Sequence, residues 1–132
     1  MKRIFLLGAA LIGSGCMTEP VRAPDAADAA ALADETEGRT PGAAVSCVNM
    51  RDLRSNRPVG DAIVFDGPGG SIYVNRPVGG CPNLRHGRTL IIQTTVTQLC
   101  RGDIAQVVDH ASGTNHGSCA LGDFMPYGRR GG

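Results

Sequence analysis

Cysteine placement constrains this chain more than any other feature. Of the five cysteines in 132 residues, Cys16 stands alone after an apolar N-terminal run, and Cys47, Cys81, Cys100 and Cys119 are spread over the remainder. The odd total is therefore one plus an even four. A chain of this length makes one domain of ordinary size, which excludes a multidomain enzyme.

The environment of Cys16 gives it a separate role. Lys2 and Arg3 precede the run Ile4 to Ile12, a charged segment followed by an apolar stretch of nine residues, as in an export signal. Crossing a bilayer as a helix takes roughly 20 residues, so this run is too short to be a membrane span. Gly13-Ser14-Gly15 then leads into the cysteine. The pattern resembles a bacterial lipoprotein signal, in which residues 1–15 are removed and Cys16 becomes the lipidated, palmitate-bearing N-terminus. With Met17 rather than Asp after it, the resemblance implies sorting to the outer membrane, facing the periplasm. Each buried methylene of such an anchor contributes about 0.8 kcal/mol, so the membrane is the first expected partner.

Residues 16–44 are expected to be a tether. From Met17 to Ala44 there are six acids against two arginines, and Leu32 is the only Leu, Ile or Phe. Such a segment buries too little apolar surface to offset the entropy of ordering it. A transient helix is expected near Asp25 to Glu37, where alanine is frequent, but without an apolar stripe to hold it. Composition changes at Val45, and residues 45–127 read as the folded domain, with 128–132 a flexible tail.

Within that domain the expected class is all-β, a small disulfide-stapled antiparallel barrel or curled sheet of five to six short strands. Ala62 to Asp66 and Ser71 to Asn75 are rich in β-formers and flank Gly67-Pro68-Gly69-Gly70, which predicts a hairpin. Leu90 to Thr97 alternates as one strand with Leu90, Ile92, Thr94 and Val96 inward. Ile104 to Asp109 is a further strand, and weaker ones are expected at Val45 to Met50 and Ser118 to Leu121. Asp52 to Asn56 reads as a helical turn. A domain this small needs reinforcement. Four cysteines in an exported chain supply it as two disulfides, with three possible pairings. The favoured set is Cys81 with Cys100 and Cys47 with Cys119, the second tying the ends of the domain together.

Cys47, the hairpin, Gly80-Cys81-Pro82-x-Leu84, Leu99-Cys100-Arg101-Gly102-Asp103 and Cys119-x-Leu121-Gly122-x-Phe124 together resemble a family of small proteobacterial envelope lipoprotein domains with a four-cysteine framework. The resemblance covers roughly residues 45–127. It implies fold and location and carries no catalytic residue, because the family has no established activity.

Candidate chemistry is sparse. Net charge is +1 and aromatics make up 4%, which argues against a nucleic-acid binder. Arg85-His86-Gly87-Arg88 places two guanidinium groups and an imidazole on one loop, a candidate anion site. Arg101-Gly102-Asp103 reads as a tight turn. His86, His110 and His116, with Asp109, match no zinc spacing, so no metal or other cofactor is expected. Asn-Arg-Pro-Val-Gly occurs at 56–60 and again at 75–79, which is too little to define a repeat and reads as two similar loops. No glutamate follows Glu37, and no nucleophile elbow or zinc-protease motif is present, so no catalytic residue is assigned. The expectation is a non-enzymatic structural or interaction module of the cell envelope, with another envelope protein as its expected partner. The alternatives are an anion or small-ligand binding domain using Arg85, His86 and Arg88, and a minor envelope hydrolase.

Overall fold

The computed structural model describes Gly13, Gly15 and residues 26–129 other than His86. Cys16, with the signal and anchor assigned to it, lies outside the described residues.

Strand β4 (Ala62–Asp66) is the centre of the molecule. Ala62, Ile63, Val64 and Phe65 are all buried, so the run is apolar without alternation, as expected of a strand covered on both faces. It pairs with β5 (Ile72–Asn75) as the expected hairpin, with Phe65 opposite Tyr73. The connection contains a short 3₁₀ turn at Pro68–Gly70, where Gly69 and Gly70 take positive φ. Three further strands complete a five-stranded antiparallel sheet in the order β1 (Arg39–Pro41), β10 (Phe124–Arg129), β5, β4, β3 (Asn56–Val59). A ribbon joins β2 (Cys47–Asn49) to β7 (Gln98–Cys100), and a three-stranded sheet runs β6 (Arg88–Ile91), β8 (Ile104–Asp109), β9 (Asn115–Ala120). The class is mostly β, with curled antiparallel sheets and no closed barrel. Among the described residues there are ten short strands rather than five or six.

Two cores follow from the two faces of β4. On one side Ile63, Phe65 and Phe124 pack against Val48, Leu99, Leu90 and Val107 from the other two sheets and against Leu121, which follows β9. Phe65, Phe124 and Tyr73 form one aromatic cluster, with Phe124 5.7 Å from Phe65 and edge-on to Tyr73 at 6.4 Å between centroids. On the other side Ala62, Val64, Ile72 and Val74 receive Leu32 from helix α1 (Ala26–Thr36).

Four expectations need correction. The tether is not structureless from residue 26 onward: α1 is anchored through Leu32 and through Glu35, and β1 pairs with β10. Gly128 and Arg129, assigned to the tail, are the end of β10, opposite Thr40 and Arg39. The strand expected over residues 90–97 stops at Ile91. Its continuation bends where the Thr94 hydroxyl accepts the Val96 N–H at 3.1 Å, the local competition that Thr offers a strand. Val96, expected inward, is 61% exposed.

The disulfide pairing also differs. Cys47 bonds to Cys100 and Cys81 to Cys119. The cause is register: antiparallel pairing of β2 with β7 sets Cys47 directly opposite Cys100. Val78 bridges Ala120, which brings the following Cys81 beside Cys119 on β9. The helical turn expected at 52–56 lies slightly earlier, at Met50–Asp52, capped by the Asn49 side chain accepting the Arg51 N–H.

Candidate anion-binding site

Of the loop singled out in the sequence, the two arginines are described. Arg85 is exposed, His86 lies outside the described residues, and the Arg88 guanidinium donates to the Asn83 carbonyl at 2.7 Å. That bond closes the loop on itself. The other two histidines, His110 and His116, form no metal-ligand group with neighbouring Cys, Asp or Glu among the described residues.

Arginines converge elsewhere, at the end of the large sheet where β1, β10 and the β4–β5 connection meet. A concavity of about 350 Å³ is lined by Arg39, Arg54 and Arg129, with Asp66, Gly70 and Ile72. Each arginine arrives by a different route. Gly38, at φ 72°, turns the chain from α1 into β1, a backbone conformation that favours glycine. Arg39 follows directly, and its Nε donates to the Gly70 carbonyl at 3.3 Å while Nη1 donates to the Glu35 carbonyl at 2.7 Å. Arg129 stands opposite Arg39 in the β1–β10 register and lies over Gly70, where a Cβ would collide with its guanidinium group. Arg54 is placed by pairing of its own N–H with the Asp66 carbonyl at 3.0 Å.

Charge at this site is unbalanced. The nearby carboxylates are already engaged by a fourth arginine. Arg57 holds Glu35 through both nitrogens of one edge, at 3.1 and 2.7 Å, and both Asp66 oxygens at 2.9 Å. Glu35 titrates below its ordinary value, chiefly because of that hydrogen-bonded pair with Arg57. For Asp66 burial pushes the pKa up, yet the Ser55 hydroxyl and Arg57 together pull it below the usual carboxylate value. Four guanidinium groups thus face two carboxylates. Among the described residues Arg39, Arg54 and Arg129 have no ion pair.

Two like charges set directly opposite across a strand pair are destabilising. Arg39 and Arg129 stand opposite in that way, although Arg39 is also within electrostatic reach of Glu35 and Asp66. A guanidinium group whose Nε and Nη1 are occupied by carbonyls still presents its Nη2 donors, in a fixed orientation suited to a phosphate or carboxylate oxygen. No local spacing in the sequence signals this site, because its arginines are 15 to 90 residues apart and two of them fall in segments read as tether and tail. Comparison with known protein families, with curated proteins and with solved structures finds no match.

Proposed function

We propose that this chain is a lipid-anchored, non-enzymatic interaction module of the cell envelope that binds an anionic group of another envelope component at Arg39, Arg54 and Arg129. The observation that carries the binding reading is the convergence on one concavity of three guanidinium groups, none of them in an ion pair among the described residues. What supports the envelope reading is the N-terminal pattern ending in Cys16, together with two disulfides, which belong to oxidising compartments. An acidic-component partner also suits the position of the site at the junction of α1 and β1, the end of the described chain nearest the proposed anchor in sequence.

Titration of the purified full chain with inorganic pyrophosphate at constant ionic strength tests the reading. Saturable binding is expected, weakened at least tenfold by Arg39→Ala combined with Arg129→Ala and unchanged by Arg85→Ala combined with Arg88→Ala. Absence of saturable binding, or equal weakening by both double variants, overturns it.

A further inference from the structure

The arginine concavity opens on the face of the large sheet that also carries α1, and that face does not end there. Side chains alternate across a strand, so Arg39 and Pro41 of β1, Met125, Tyr127 and Arg129 of β10, and Ile72 and Val74 of β5 share it, as their register confirms. A second concavity, of about 520 Å³, follows along the same face, floored by Val74, Met125 and Tyr127. This volume is within the range of small-molecule sites, roughly 300–1,000 Å³. The two concavities share no lining residue but are neighbours in register: Ile72, itself buried, lines the first, and its cross-strand partner Tyr127, half-buried, lines the second.

The two ends of this face differ in charge balance. At the first, Arg39 and Arg129 form no ion pair among the described residues, and the one carboxylate lining the concavity, Asp66, is held by Arg57. At the far end the arginines are compensated: Arg76 pairs with Asp61 at 3.1 Å and Arg101 with Asp123 at 2.8 Å. A ligand lying along the face therefore meets net positive charge at one end only, then an apolar floor, then a neutral rim. That order is the order of an anionic amphiphile.

We propose that the ligand of this face is an anionic amphiphile carrying a phosphate-type headgroup: the headgroup takes Arg39 and Arg129, and the apolar chain passes Tyr127 and lies over Met125 and Val74. This rests on the anion-binding reading above and adds the chemical class of the rest of the ligand. Arg129 lies four residue steps beyond Met125 on β10, about 13 Å along an extended strand. An extended hydrocarbon chain of roughly ten carbons has that length.

Decyl phosphate below its micelle concentration is the probe, with inorganic phosphate and decyl maltoside as comparators, against the full chain held in amphipol. Decyl phosphate is expected to bind at least tenfold more tightly than inorganic phosphate. Met125→Gln should remove that advantage while leaving pyrophosphate binding intact. In the wild-type chain the Met125 methyl resonance, assigned through Met125→Leu, should shift with decyl phosphate and stay in place with inorganic phosphate, a readout independent of any variant's folding. Equal affinity for decyl phosphate and inorganic phosphate overturns the amphiphile and leaves the anion site standing. Decyl maltoside binding as tightly as decyl phosphate overturns the headgroup assignment. No binding of either phosphate compound or of pyrophosphate overturns the anion reading itself.

Discussion

A side-chain amide offers one donor and one acceptor, the complement of a peptide group, and two asparagines here use it to stand in for a strand. Asn75, fully buried, donates to the Gly122 carbonyl at 2.8 Å and accepts the Gly122 N–H at 2.9 Å. Asn56 does the same with Leu90, at 3.2 and 3.1 Å, and also accepts the Thr89 hydroxyl at 2.9 Å. Each opens a copy of Asn-Arg-Pro-Val-Gly, and each copy ends on a glycine at positive φ, Gly60 and Gly79. The duplicated pentapeptide is thus one device used twice, although the first copy is strand β3 rather than a loop. The copies diverge where their surroundings do: Val59 is buried, whereas Val78 is 55% exposed. Asn75→Ala leaves a buried N–H and a buried carbonyl unpaired, each costing about 1–3 kcal/mol. A loss of about 3 kcal/mol is expected from urea unfolding, and Asn56→Ala, at a half-buried site, should cost less. Asn75→Asp retains the acceptor for the Gly122 N–H but loses the donor, so it should not rescue. A fall of under 1 kcal/mol for Asn75→Ala would remove the clasp from the account of this fold. Gly122→Ala tests the same junction from the other side, because a Cβ there would run into the Arg76 carbonyl.

At the scale of elements, α1 shows what the sequence could and could not convey. Its composition favours a helix, and the sequence reading placed a transient one there. What holds it is not a stripe: Leu32 is its one buried residue. Ala31 packs beside it on the same core, and Glu35 reaches Arg57, 22 residues away, in a network that continues to Asp66. Periodicity does not encode such a contact. Strands β1 and β10 were hidden for a related reason, since Arg-Thr-Pro and a run containing Pro126 and Gly128 lack strand signatures. The hairpin of β4 and β5 and strand β8, where β-branched runs meet glycine-rich turns, were legible in full. The arginine site was not, because it depends on the concealed strands β1 and β10. The charge-held helix also carries a pH dependence. Glu35 and Asp66 have folded-state pKa values below their ordinary 4.5 and 3.8. Their contribution is therefore present above those values and is lost as pH falls through the depressed ones. On acidification below about pH 4.5, amides of residues 26–36 should gain hydrogen exchange before those of β4. Arg57→Ala should produce the same exposure already at pH 7, at a cost of about 1 kcal/mol for these partly solvated pairs. Protection of α1 that persists unchanged in Arg57→Ala would show that the helix is held without the ion pair, by contacts such as the packing of Leu32 and Ala31.

For the whole molecule, the two disulfides decide how the sheets are bound together. The loops they close, from Cys47 to Cys100 and from Cys81 to Cys119, overlap in sequence, with separations of 53 and 38 residues. Each therefore restricts an unfolded chain already crossed by the other. In the chain-entropy view each contributes up to about 4 kcal/mol. The first staples the β2–β7 ribbon; the second ties the segment after the second pentapeptide to β9 in the three-stranded sheet. Neither closes the domain end to end, which was the reason for favouring Cys47 with Cys119. Trypsin separates the alternatives, because it leaves both Arg-Pro bonds uncut. Unreduced, the chain should yield residues 40–51 joined to 89–101 and residues 55–85 joined to 102–129. Joining of 55–85 to 89–101 would instead return the pairing to Cys81 with Cys100. The bridges also differ in access: Cys47 is exposed, whereas Cys119 is 7% exposed and belongs to the main core. Thiol–disulfide exchange requires a thiolate to reach a sulfur. Under native conditions with a limiting thiol reductant, alkylation should therefore appear at Cys47 and Cys100 first. Replacing Cys81 and Cys119 by serine should then lower stability more than replacing Cys47 and Cys100, because it sets a hydroxyl into a packed apolar cluster as well as freeing a loop.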